Sequence, residues 1–129
     1  MQEEKSRQTD ISMPARKLRR VMKEVRGKSA VEAMKILKFM PYFAARGVRY
    51  PSKIVIGHFR SFWGECLSKR GVLKFSTRLA EKDRSLVEYV VVHELAHFIM
   101  PNHSAAFWNI VESVIPDYKI RRKILNGKQ

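Results

Sequence analysis

The stretch VVHELAHFIMPNH, Val91–His103, holds three of the chain's four histidines with one glutamate among them. His93 and His97 stand four positions apart, so on a helix both imidazoles leave the same face. Two nitrogens placed this way reach one zinc ion at roughly 2.0–2.1 Å each. Glu94 directly follows the first histidine. On an H-E-x-x-H helix it stands beside the metal without ligating it, where its carboxylate can take a proton from an activated water. A catalytic zinc takes three protein ligands and leaves one position open. His103 fills the third place in this reading, because Pro101 and Asn102 break the helix after Met100 and let the chain turn back. The setting VEYVVVHELAHFI is apolar, and a buried glutamate there is costly without a metal or a partner. His93, His97 and His103 are therefore expected to hold Zn2+, with Glu94 as general base.

The helix carrying this motif is predicted from about Ser85, where Ser85-Leu-Val-Glu88 has the capping-box pattern, to Met100. A further helix starts near Ser104 and includes Phe107, Trp108, Ile110 and Val111, and Pro116-Asp117 opens a last short basic helix ending before Gly127. Upstream, KIVIG (53–57), FWGEC (62–66) and VLKFS (72–76) read as strands, the last two joined by a turn at Ser68-Lys-Arg-Gly71. Gly64 suggests a close backbone approach or a bulge. Trp63 is expected beneath the metal helix, His58 on the surface, and Cys66 as a small buried residue, although a thiol there could also ligate zinc.

Residues 1–10 read as a disordered start. A helix follows on Leu18, Val21, Met22 and Val25, stopped by Gly27. Ser29-Ala-Val-Glu32 caps a second helix with Ala33, Met34, Leu37 and Met40 on its apolar side, and Pro41 is expected to start a short third one ending at Gly47. The first two helices form an αα-hairpin. The whole order predicts an α+β fold: an N-terminal helical hairpin, a small three-stranded sheet, the metal helix and C-terminal helices.

With 129 residues, 45% of them hydrophobic, the chain can bury one core without disulfide staples. The single cysteine excludes an internal disulfide and fits a reducing compartment such as the cytoplasm. No apolar run approaches a membrane span and no secretory signal is present, so a cytoplasmic monomer without membrane contact is expected. Net charge is +14, and 13 of the 26 basic side chains lie in the first 50 residues, which favours a polyanionic partner on that side.

From about Val48 onward the chain resembles the YgjP-like family of zinc metallopeptidase-type proteins, related to the SprT-like and wider zincin group. The matching residues are Trp63-Gly64 and Cys66, VLKFSTRL, EYVVVHELAHF, Asn102-His103-Ser104, Phe107-Trp108 and Pro116-Asp117-Tyr118. The resemblance implies zinc on His93, His97 and His103, Glu94 as general base, a peptide or protein substrate, and a strand at Trp63–Cys66 packed near the active-site helix. Phe62 stands where arginine is expected and Glu65 where serine is common, departures that bear on substrate handling. Residues 11–48, ISMPARKLRRVMKEVRGKSAVEAMKILKFMPYFAARGV, resemble instead the helical hairpin of large-subunit ribosomal protein twenty-two, through the RGKS turn and the ILKF-x-P stretch. This second resemblance implies RNA as a partner, with Arg16, Lys17, Arg19, Arg20, Arg26 and Lys28 as candidate phosphate contacts. The chain thus reads as a fusion, natural or engineered, of a ribosomal-type hairpin (11–47) with a metallopeptidase-like domain (48–129), the two packed as one unit. A zinc-dependent hydrolase is the first expectation, and a nucleic-acid-binding module keeping a structural zinc site is the alternative.

Overall fold

The computed structural model describes residues 9–11 and 29–127, with side chains from Lys35 onward. The elements are β1 (Thr9–Ile11), α1 (Ser29–Ala44), β2 (Lys53–Gly57), β3 (Gly64–Leu67), β4 (Val72–Ser76), a 3-10 helix (Thr77–Glu81), α2 (Arg84–Ala96), α3 (Ala105–Val114) and α4 (Tyr118–Leu125). The fold is α+β, as the sequence predicts. The strands lie in the order β1-β2-β4-β3. β2 and β4 are parallel, with Ile54 opposite Leu73 and Ile56 opposite Phe75. β3 returns antiparallel to β4 through the expected turn, in which Gly71 takes φ +70°, a left-handed value that favours glycine. β1 was not expected. Thr9–Ile11 pairs antiparallel with β2 inside a stretch that reads as a disordered start. Strand pairing rests on backbone groups, so a short polar segment can fill an open sheet edge without apolar patterning of its own.

One core holds the sheet and the helices together. Ile54, Ile56, Leu73 and Phe75 alternate along β2 and β4 and turn the same way, against Leu86, Val87, Val90, Val91 and Leu95 of α2. Ile36, Met40 and Phe43, spaced to share one helix face, bring α1 into the same cluster and are fully buried. Helix α1 is therefore part of the core that carries the metal helix. Polar contacts tie these elements as well. Glu88 of α2 receives Lys35 Nζ at 2.6 Å and Lys38 Nζ at 2.8 Å from α1, and Arg121 Nη1 at 3.2 Å from α4. Burial pushes the Glu88 carboxyl up, but hydrogen bonds from the two lysines and their charges outweigh it and hold the group down to about 2.

Three local expectations are corrected. Pro41 lies inside α1 and does not start a new helix. Its ring forfeits one backbone hydrogen bond, yet Met40 and Phe43 on either side are buried and the Tyr42 hydroxyl pairs with that of Ser113 on α3, so tertiary contacts carry the helix through. The capping box at Ser85 does not form: Asp83 is the N-cap residue, and the Ser85 hydroxyl donates to Asp83 Oδ2 at 3.1 Å. Glu88, the other half of that box, is drawn to the lysines of α1 instead. Finally, α2 ends at Ala96, and residues 97–99 tighten into turns in which His97, Phe98 and Ile99 donate to carbonyls three residues back.

Candidate metal centre

His93 stands in the last turn of α2 and His97 at its C-cap, so the helix fixes their spacing. After the turns through Met100, Ser104 caps α3 by accepting from the Phe107 N–H at 3.4 Å, which sets the direction in which the chain returns. That return brings His103 back. Its Nε2 lies 3.1 Å from His97 Nε2 and 3.2 Å from His93 Nε2. Ligands held tetrahedrally at about 2.05 Å lie roughly 3.3 Å apart, so the three nitrogens sit at the spacing of one zinc-sized ion. The remaining ring nitrogens are held from behind. His97 Nδ1 donates to the Met100 carbonyl at 3.1 Å, and His93 Nδ1 faces the Tyr89 hydroxyl at 3.3 Å. Both contacts leave Nε2 free to ligate. Ring packing completes the support: Phe107 stacks on His97 at 4.5 Å between centroids, and Trp108 stacks on His103 at 5.8 Å.

The charge states suit a cation. Burial, helped by the neighbouring His97, His103 and Arg122, pushes His93 down to about 3, and burial lowers His97 too. Both imidazoles are therefore neutral at neutral pH, with lone pairs to offer. Glu94 is 7% exposed, and its Oε2 lies 4.0 Å from His93 Nε2. Burial first, and the charge of Glu65 second, raise its carboxyl to about 8. A cation between the three histidines would pull that value back down. The chemistry of the donor set thus fits a metal ion, with Glu94 next to it and outside the ligand group.

The expected neighbours of the site are in place. Gly64 is where β3 meets α2: a Cβ built there would lie 3.0 Å from both Glu94 Cγ and Val90 Cγ1. Cys66 lines a cavity with Glu94 and the three histidines but stands outside the ligand group, and burial, then the charges of Glu94 and Glu65, push its thiol up to about 12. That thiol stays protonated, the behaviour of a small half-buried residue. Trp63 flanks the metal helix, lining a cavity with His93 and Glu94 while Arg78 lies 4.2 Å over its ring. His58 is exposed, with its Nδ1 3.3 Å from the Thr77 hydroxyl.

The YgjP-like metallopeptidase domain family matches the chain over residues 1–128. The chain belongs to this family. The match runs straight through the junction expected near residue 48, so residues 1–47 also lie within the span of the YgjP-like family. The chain is also similar to the large ribosomal subunit protein uL22c of Rhodomonas salina, 53% identical over 38 residues that make up 30% of this chain and 32% of that protein. It therefore spans about a third of that relative's length. Among solved structures it is similar to the metallopeptidase zymogen of Pyrococcus abyssi abylysin, with 22% identity, a TM-score of 0.48, and coverage of 57% of this chain and 77% of that one. The metallopeptidase description of this family implies a metal ion, and among the described residues His93, His97 and His103 are grouped so that they could hold one.

Of the residues singled out in the sequence, Arg16, Lys17, Arg19, Arg20, Arg26 and Lys28 lie outside the described residues. Two contributors were missed. Tyr89 supports His93 from one helical turn before it, a spacing of four that was available in the sequence. Arg122 belongs to the run Arg121-Arg122-Lys123, which from the sequence reads as a solvated helix face or as part of a polyanion-binding surface, yet it lines a cavity with His93 and Glu94. No helix among the described residues is long and apolar enough to cross a membrane.

Proposed function

We propose that this chain is a zinc-dependent metallopeptidase in which His93, His97 and His103 hold the ion and Glu94 is the general base. The observation that carries this reading is the convergence of three Nε2 atoms within 3.2 Å of their neighbours beside the buried carboxylate of Glu94. Zinc in such a site supplies Lewis acidity toward a carbonyl oxygen and makes water a nucleophile at neutral pH. Glu94 takes the proton of the attacking water on a carboxylate oxygen and hands it to the leaving amine. Tyr89 and the Met100 carbonyl keep the histidines in the ligating tautomer. β3 is an edge strand of the sheet, next to the metal helix, and an extended peptide added along it would pass Glu94. The single cysteine fits work in the reducing cytoplasm.

The deciding experiment measures zinc content and zinc affinity of the wild type and His103→Ala, together with peptide hydrolysis by the wild type and Glu94→Gln. One zinc per chain, strongly weakened by His103→Ala, and hydrolysis lost in Glu94→Gln with zinc retained, are expected. Zinc uptake unaffected by His103→Ala would remove the three-histidine site from the reading.

A second reading, a nucleic-acid-binding role, is favoured by a separate cleft. A cavity of about 540 Å³ is lined by Arg46, Arg49, Lys69 and Arg70 with no carboxylate in its walls among the described residues, and Tyr50 and Phe98 stand among them. Arginine and lysine placed beside aromatic rings suit a single-stranded phosphate backbone with stacked bases. The test of this reading is single-stranded RNA binding by the wild type and Arg49→Glu/Arg70→Glu: binding that weakens steeply with salt and is lost in the variant with zinc unchanged is expected, and binding that survives the variant would overturn it.

A further inference from the structure

We infer that the cavity beside the metal centre is a substrate pocket in which Arg122 receives a carboxylate close to the scissile bond. The inference rests on the peptidase reading for its substrate class. The cavity, about 260 Å³, shares Gly64, His93 and Glu94 with the metal centre, so whatever fills it lies next to the reacting groups. Its other walls include Trp63, Tyr89, Val90 and Leu125, a largely apolar lining broken by Arg122 and Asn126. Apolar walls with one or two placed polar groups are the usual anatomy of a site that grips and orients a ligand.

The two neighbouring arginines of α4 are used differently. Arg121 is committed to the fold: it pairs with Glu88 at 3.2 Å and Asp117 at 3.0 Å. Arg122 forms no ion pair among the described residues. Its guanidinium lies 4.9 Å over the Trp108 ring, and Trp108 in turn stacks on Tyr118 at 5.1 Å and on the ligand His103 at 5.8 Å. The arginine is thus positioned by the same aromatic stack that supports a metal ligand. A planar guanidinium pre-set on an aromatic ring matches a carboxylate with two parallel hydrogen bonds, and it repels a cationic side chain. The carboxylate has two sources, an acidic side chain or the free end of a peptide.

The test reads binding without turnover. Trp63 and Trp108 are the chain's two tryptophans, so intrinsic fluorescence reports on this pocket. Zinc-loaded Glu94→Gln protein is titrated with four short alanine peptides lacking tryptophan: one with a central glutamate and amidated end, one with glutamine and amidated end, one with glutamine and a free carboxyl end, and one with lysine and amidated end. At least one carboxylate peptide is expected to bind about tenfold more tightly than the amidated glutamine peptide. Preference for the glutamate peptide assigns the pocket to an acidic side chain, and preference for the free end assigns it to a terminal carboxylate. Arg122→Ala should erase the preference, and Arg122→Glu should transfer it to the lysine peptide, an exchange that loss of folding cannot produce. Equal binding of all four peptides, no binding at all, or a preference that survives Arg122→Ala overturns the inference. Failure of the wild type to cleave any peptide while the binding preference holds would sink the peptidase reading instead.

Discussion

Replacing Gly64 by alanine tests how tightly the Glu94 carboxylate is held against the sheet. The added methyl would meet Val90 Cγ1 and Glu94 Cγ at 3.0 Å each, closer than ordinary carbon contacts by several tenths of an ångström. Val90 cannot rotate away, because a β-branched side chain in a helix has essentially one rotamer and this one is 3% exposed. Glu94 is 7% exposed and has little more room. The strain must therefore be relieved by parting β3 from α2 or by displacing the Glu94 carboxylate. Overpacking of this kind costs about 1–3 kcal/mol, and a misplacement near 1 Å at reacting groups costs about 100-fold in rate. Gly64→Ala is thus expected to lose about 1–2 kcal/mol in urea unfolding followed by tryptophan fluorescence, and to lose about tenfold in hydrolysis. Zinc affinity should hold, because the glycine's nearest side-chain atoms belong to Val90 and Glu94 and not to a histidine. A variant as stable and as active as the wild type would refute the close contact of strand and helix. One that loses zinc in proportion to activity would place the damage at the histidines and not at Glu94.

Other perturbations separate the supports of the site. The Glu88 carboxyl is held down from 4.5 to about 2, so its contribution to stability is full above pH 4.5 and fades as pH falls toward 2. The stability difference between wild type and Glu88→Gln should accordingly be about 1–2 kcal/mol at neutral pH, after allowing for solvent around the pair, and should shrink steadily below pH 4.5. A difference independent of pH would show that the charge of Glu88 is not what matters. Tyr89→Phe removes the hydroxyl behind His93 and should weaken zinc about tenfold with little change in folding, as read by competition with a chelating dye. Phe107→Ala opens a cavity under His97 and should cost about 3–5 kcal/mol, with zinc affinity falling alongside; stability lost without any effect on zinc would mean that the ring does not position the imidazole.

Much of the site was legible because its signals are local. Four-residue spacing on a helix decides which side chains share a face, and His93 and His97 obey it whatever surrounds them. The Ser104 cap, the glycine turn at Gly71 and the strands at 53–57 and 72–76 follow from residues within a few positions of one another. Gly64 could be read as a point of close approach because glycine inside a strand has few other uses, although its partner could not be named.

What the sequence alone determined is therefore the chemistry: three imidazoles, one carboxylate and an α+β order of elements to present them. Only the tertiary structure decided where these elements meet. The sheet order, with Thr9–Ile11 on one edge and β3 on the other, depends on contacts between distant segments that no short window contains. Pro41 reads as a break, and the core around Met40 and Phe43 overrules it. Glu88 reads as a helix cap, and Lys35 and Lys38, 53 and 50 residues earlier, claim it. Arg121 and Arg122 read alike, yet one lies among carboxylates of the fold and the other beside the metal centre. In each case the local preference is worth about 1–3 kcal/mol, and burial or a charge partner supplied by a distant segment is of the same size, so the outcome depends on what the fold brings alongside.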